Sequence, residues 1–380
     1  MAHRGCGAVL LAAALVLPLA DAKHTPGAAP EAPDRTGACQ RIRLVDAGTD
    51  EPVAGAEDFV VDRASGRIFL AAYDRWALDD AVAAGAEKLP QGAIYAAPLR
   101  SLTRKPEVLP LRRLAEGEGR DFHPHGLAID RSDGTARLFA INHEYRRSGG
   151  SWMRTSAIES YRIAPGGLTH LATRRHDRLC RANNLAALGP RDLLVTRDHG
   201  TCHGVGRWLE DILGLDRAEV IRASLDAGGG LGLETVADGL AFANGIAVAP
   251  QGNAVAVAAT REPAVRIYDG AKLVAGEPDA LRRTVPVAGG PDNLTWTAAG
   301  GLVAAVHPSL FDAGLARHRW LGARRAGSKA VAVNPESGLT RTLLHDPTGE
   351  RLNTGTTAAV VNGTLIVSAV LDHALLVCRK

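Results

Sequence analysis

Carboxylates, amides and an imidazole recur at the heads of six well-separated segments of this sequence. Glu57 and Asp58, His125, Asn183 and Asn184, Asn244, Asp292 and Asn293, and Thr356 or Thr357 each stand about seven to nine residues before a turn. Oxygen donors of this kind, without thiolates or clustered imidazoles, suit a hard cation. The flexible six-to-eight-oxygen shell of calcium fits them better than octahedral magnesium. His125 adds an imidazole, and His143 ends the following strand in Ile141-Asn142-His143-Glu144, so one hairpin can bring both to the same rim. An imidazole beside a bound cation can deprotonate a water while the cation polarises a carbonyl. Asn, Asp and Gly are also ordinary turn residues, and a lone His is more often structural than catalytic. The matched position of all six segments favours a site.

The elements that must position these residues form a repeat: a polar entry, an alternating apolar strand, a tight turn, then a second apolar strand. The copies begin at Gly55, His123, Arg181, Phe242, Gly290 and Gly355. Their turns lie roughly 50 to 70 residues apart, which suits propeller blades with long inter-strand loops. Helical patterns between them are too sparse for alternating βαβ units. The sequence predicts an all-β fold, a six-bladed β-propeller spanning 39–380 as one domain and closed by pairing of its N- and C-terminal ends.

Residues 1–22 open with Arg4, run apolar from Ala8 to Ala20 and close on Ala20-Asp21-Ala22, the pattern of an export signal. A secreted or periplasmic protein is expected, a retained N-terminal anchor being the alternative. No later segment reaches the roughly 20 apolar residues of a spanning helix. Residues 23–38, rich in Pro, Ala and Gly, are expected to be a flexible leader. Removal of Cys6 with the signal leaves Cys39, Cys180, Cys202 and Cys378, which allow three disulfide pairings. Ring closure favours Cys39 with Cys378, and Cys180 and Cys202 flank the third hairpin, where they can form a local bridge.

Of 380 residues, 44 are basic and 41 acidic, and 46% are hydrophobic, a composition of folded globular chains. No clustered basic stripe is present, so nucleic acid is not an expected partner. His123-Pro124-His125 begins like a zinc lactonase motif, but Leu127 stands where its Asp is needed. Gly322–Lys329 lacks the setting of a phosphate loop, and no GxSxG elbow occurs. In 203–220, Trp208, Leu209, Ile212 and Leu213 fall at helical spacing. They read either as a short helix packed on the propeller or as a lid walling a substrate pocket, and Trp76 and Leu78 carry the same ambiguity. Such an amphipathic lid could also mediate peripheral lipid association.

Gly55-Ala-Glu-Asp58, His123-Pro-His-Gly126, Asn142-His143, Asp198-His199, Phe242-Ala-Asn-Gly245, Pro291-Asp-Asn293 and His307-Pro308, with a cysteine near each end, resemble the paraoxonase/arylesterase family within the wider gluconolactonase and strictosidine-synthase-like group. The resemblance implies two calcium ions. The catalytic one is held by Glu57, Asn183, Asn244, Asp292 and Asn293; the structural one by Asp58, the backbone carbonyl of Leu127 and position 184. His125 would be the water-activating base and His143 its proton-relay partner. The implied activity is hydrolysis of small-molecule lactones and aryl esters, with phosphotriesters as a possible side activity. A sugar-lactone hydrolase and a non-enzymatic, calcium-stabilised binding propeller are the alternatives. Asn184 replaces the family's usual Asp, and Arg197 its usual Asn.

Overall fold

In the computed structural model the described residues are 39–102, 104, 106–117, 119–226 and 228–379. The export signal expected over 1–22 and the leader over 23–38 lie outside them. The described residues are mostly strand, as the alternating apolar segments require. They form four four-stranded sheets and one eight-stranded sheet.

In each repeat the polar entry opens the innermost strand: Ala56–Asp62, Pro124–Asp130, Ala182–Ala187, Ala243–Val248, Gly290–Trp296 and Gly355–Val361. These strands contact one another in a closed circle, first to second and onward to the last, which returns to the first. The arrangement is that of a propeller. Partway along the strands, Phe59, Leu127, Leu185, Ile246, Leu294 and Ala359 line a cavity of about 270 Å³ on the shared axis. The apolar core is divided among the contacts between consecutive sheets. One cluster, for example, packs Leu194, Val220 and Ile246 with Val257, and another packs Val303 and Leu344 with Val367.

The eight-stranded sheet contains the junction of the two chain ends. Cys39–Asp46 pairs antiparallel with Ala374–Cys378 and parallel with Val108–Ala115. Cys39 is directly opposite Cys378 in that register, and the two are bridged. A second disulfide joins Cys180 to Cys202 across the third hairpin.

Residues Gly204–Leu213 form the anticipated helix, but its apolar face is not packed on the propeller. Trp208 is 58% exposed, and Val205, Leu209, Ile212 and Leu213 are exposed with it. The helix is held by its polar side instead. Buried Glu210 accepts from the Gly200 amide at 2.9 Å, and Asp211 meets His199 at 2.9 Å as well as Arg207 and Arg261. Trp76 is half-buried and donates to the carbonyls of Ala316 and Arg317, while Leu78 is buried against Tyr73 and Leu89. No helix among the described residues is long and apolar enough to cross a membrane.

Candidate functional site

Each of the six innermost strands breaks register with its neighbour at its polar entry. The shifts fall between Ala56 and Asp58, Pro124 and Leu127, Ala182 and Leu185, Ala243 and Ile246, Pro291 and Leu294, and Gly355 and Thr357. A bulge leaves a residue unpaired and re-aims its side chain. The residues at these breaks are the ones singled out by type: Glu57, His125, Asn183 with Asn184, Asn244, Asp292 with Asn293, and Thr356. All are buried. Close approach of the strands here depends on glycine: a Cβ on Gly126 would lie 2.5 Å from Asn184 Oδ1, and one on Gly245 2.5 Å from Asn293 Cα.

Hydrogen bonds tie the entries together across the axis. Asn293 Nδ2 donates to Glu57 Oε1 at 3.1 Å and to Thr357 Oγ1 at 3.0 Å, and Thr356 donates to the Glu57 carbonyl at 2.6 Å. Glu57 Oε2, Asn183 Oδ1 and Asn244 Oδ1, from three different strands, are buried without a hydrogen-bond partner. Unsatisfied buried oxygens are costly, and three acceptors with no donor are what a cation would complete. Asp292 Oδ2 is met by His307 Nε2 at 2.8 Å. Burial raises the Asp292 carboxyl above its ordinary value against His307. Burial also opposes ionisation of Glu57, but the His125 and Arg75 charges and the Asn293 hydrogen bond hold it below its ordinary value. Among the described residues no three His, Cys, Asp or Glu side chains gather as a metal cluster. A cation placed here would rest on amide oxygens as much as on carboxylates.

The second expected set differs. Asp58 Oδ1 accepts from the Phe59 amide at 2.8 Å and Thr357 Oγ1 at 2.9 Å; Oδ2 accepts from the Leu127 amide at 2.8 Å and Asn184 Nδ2 at 3.5 Å. Asn184 Oδ1 is occupied by the Leu185 amide, which turns Nδ2 toward Asp58 and Asn293 Oδ1. Leu127 meets Asp58 through its N–H, and position 184 presents a donor. In this structure the Asp58 carboxylate is met by donors on both oxygens rather than left with an orphaned one. Burial and the Glu57 charge push Asp58 well above its ordinary value.

His125 and His143 come together as the hairpin reading anticipates, with ring centroids 4.4 Å apart. They do so by packing. His143 Nε2 faces the Ala182 carbonyl at 3.0 Å and its Nδ1 faces Tyr73 Oη at 3.4 Å, so both its nitrogens have partners other than His125. His125 Nδ1 lies 2.9 Å from Arg75 Nη2 and 2.7 Å from Glu57 Oε2, the latter without hydrogen-bond alignment. Both contacts use Nδ1. Burial lowers both imidazoles below the ordinary histidine value, His143 well below it.

Sequence reasoning missed Arg75, Tyr73 and Arg154. Arg75 opens the helix Arg75–Ala83 and stacks over the Tyr73 ring at 4.1 Å; no spacing pattern marks it. Arg197, which replaces the family's Asn, clamps the following turn through the carbonyls of His199 and Gly200 and through Glu219.

The sequence profile of the Arylesterase family matches residues 87–379, and the chain belongs to that family. Curated relatives include serum paraoxonase/arylesterase 2 of Gallus gallus, 32% identical over 149 residues, 39% of each chain. The human protein of that name is 31% identical over 156 residues, 40% of this chain and 41% of its own. Serum paraoxonase/lactonase 3 of Oryctolagus cuniculus is 34% identical over 133 residues, 34% of each. The matches thus span about two-fifths or less of those relatives. Among solved structures, a gluconolactonase from Xanthomonas campestris superposes with a TM-score of 0.48 at 15% identity, covering 93% of this chain and 98% of that one.

Proposed function

We propose that this protein is an exported, calcium-dependent hydrolase of lactones and aryl esters, built on a propeller of six blades. Two of the blades share the eight-stranded sheet and are joined where Cys39–Asp46 meets Val108–Ala115. The observation that carries the reading is the trio of orphaned oxygens on Glu57, Asn183 and Asn244, beside the His125 imidazole. Family membership and the lactonase and arylesterase names of the relatives support it. Two disulfides support an oxidising compartment. The exposed apolar side of helix Gly204–Leu213 makes peripheral lipid attachment part of the same proposal.

Glu57, Asn183, Asn244, Asp292 and Asn293 would hold one calcium. When bound, it supplies a Lewis acid for the scissile carbonyl and the charge developing on its oxygen. His125 takes the proton of the attacking water at Nε2. The Glu57 carboxylate, 2.7 Å from Nδ1, stabilises the charge that the ring gains when Nε2 takes the proton, and His143, fixed by Tyr73 and the Ala182 carbonyl, supports the ring by packing. Asp58 and Asn184 brace the floor by hydrogen bonding, so one cation is proposed where the family resemblance implies two.

The test is a panel of an aryl acetate, an alkyl-substituted γ-lactone and a sugar lactone, assayed with calcium, after chelation and after calcium is restored. The expected result is turnover of the aryl ester and alkyl lactone, lost on chelation and regained with calcium. Preference for the sugar lactone would favour a gluconolactonase-like enzyme. No turnover, with calcium still raising the melting temperature, would overturn the enzymatic reading in favour of a binding propeller.

A further inference from the structure

Arg154 stands beside the imidazole pair, with no carboxylate at hydrogen-bonding distance: its ion-pair partner, Asp198, is shared and 3.9 Å away. It lies on the strand Ser151–Ala164 opposite Tyr145, two residues from Ser156, which is opposite His143. Directly paired residues, and residues two apart on a strand, share a face. Arg154, Tyr145, Ser156 and His143 therefore project from one side of this hairpin.

Two guanidinium nitrogens of Arg154, Nε and Nη2, are buried without a hydrogen-bond partner, although the side chain as a whole is 21% exposed. The carboxylate it approaches, Asp198, is 3.9 Å away and already occupied. Arg181 holds Asp198 at 2.9 and 3.3 Å, and His199 meets it at 2.5 Å. Arg75 has a similar character on the His125 side of the pair. Its Nε is buried without a partner, and its Nη2 contacts an imidazole rather than a carboxylate. With burial, both guanidinium charges hold His143 well below its ordinary value.

A buried guanidinium with unmet donors is unfavourable unless something completes it. Its planar fork matches the paired oxygens of a carboxylate or a phosphate, and the carboxylate is the one that belongs to the chemistry of esters and lactones. We propose that Arg154, with Arg75, forms a carboxylate-binding subsite beside the catalytic centre, so that the preferred substrates are lactones or esters carrying a carboxylate a few carbons from the scissile carbonyl. This rests on the hydrolase reading and deepens it by fixing the charge of the substrate.

The experiment compares two aryl esters on the full protein with calcium: neutral 4-nitrophenyl butyrate and the 4-nitrophenyl monoester of glutaric acid. Binding of glutarate is followed separately by calorimetry. The expected kcat/KM favours the carboxylate-bearing ester by about tenfold or more, the scale of a charge-assisted hydrogen-bond pair. The ratio should fall toward one in Arg154→Gln, be partly restored in Arg154→Lys, and glutarate should bind the wild type but not Arg154→Gln. Equal or better hydrolysis of the butyrate ester by the wild type overturns the subsite, as does a preference that survives in folded Arg154→Gln. Should that variant not fold, the wild-type ratio and glutarate binding decide. If neither ester is turned over while glutarate still binds through Arg154, the subsite stands and the hydrolase reading falls. Turnover of both esters at equal rates without glutarate binding gives the reverse.

Discussion

At Nδ1 of His125 two neighbours make opposite demands. The Arg75 N–H can only donate to a lone pair there, whereas Glu57 can only accept a proton from it. Nε2 is basic only in the tautomer that Glu57 supports. His125→Gln keeps the shape and removes the base. It should lower kcat by about 10² to 10⁴-fold while calcium still raises the melting temperature; unchanged turnover would remove His125 from the mechanism. Asn184 offers a complementary test. Asn184→Asp replaces the Nδ2 donor to Asp58 and Asn293 with an oxygen and places a third carboxylate near Glu57 and Asp58. The calcium-free protein should then be less stable than wild type, and bound calcium should rise from one ion to two per chain by elemental analysis. A constant stoichiometry would show that position 184 does not decide the second site.

At the scale of elements, the repeated bulge places a polar residue of every innermost strand at the same end of the axis, and glycine permits the strands to meet there. A methyl on Gly245 would lie 2.6 Å from the Asp292 carbonyl oxygen as well as 2.5 Å from Asn293 Cα, backbone atoms that cannot rotate away. Gly245→Ala should cost about 1–3 kcal/mol in urea unfolding, the range of overpacked sites, and weaken calcium binding by displacing Asp292 and Asn293. The loop that carries Asp198 and the helix Gly204–Leu213 is held by charge. Burial opposes ionisation of Asp198, yet Arg181, His199 and Arg154 hold its carboxyl far below the ordinary value. A carboxyl so depressed contributes stability that is fully present above the unfolded value and is lost as pH falls below about 4 toward the folded value. Asp198→Asn leaves Arg181 and Arg154 without that partner. It should cost about 3–5 kcal/mol at pH 7, and the gap to wild type should narrow in urea titrations at pH 3.

For the whole molecule, the circle of innermost strands places the first against the last, and the Cys39–Cys378 bridge spans a sequence separation of 339 residues at that seam. Chain-entropy arithmetic for so long a loop gives about 5–6 kcal/mol as an upper value. Replacing both cysteines by serine should lower stability by up to that amount, and proteolysis should first release the strand Cys39–Asp46. Loss of Cys180–Cys202, a loop with a separation of 22 residues, should cost less, about 3 kcal/mol on the same basis.

The sequence by itself determined the repeat, the all-β class and the set of polar residues at the strand entries, because alternation of apolar residues with turn chemistry is a local signal. It also pointed to both disulfides, since an ordered series of hairpins brings the ends of a ring together. Only the tertiary structure decided how those residues are satisfied. Asp58 and Asn184 differ little in type from Glu57 and Asn183, yet the oxygens of the first two are met by hydrogen bonds and the second two each keep an orphaned oxygen. That distinction depends on which amide of a distant strand arrives within 3 Å. The same holds for Arg75 and Arg154, arginines with no motif around them, and for Trp208, whose helical spacing was legible but whose outward orientation was set by Glu210 and Asp211. Local pattern shows which face is apolar; only the contacts of chain-distant groups settle what each face meets.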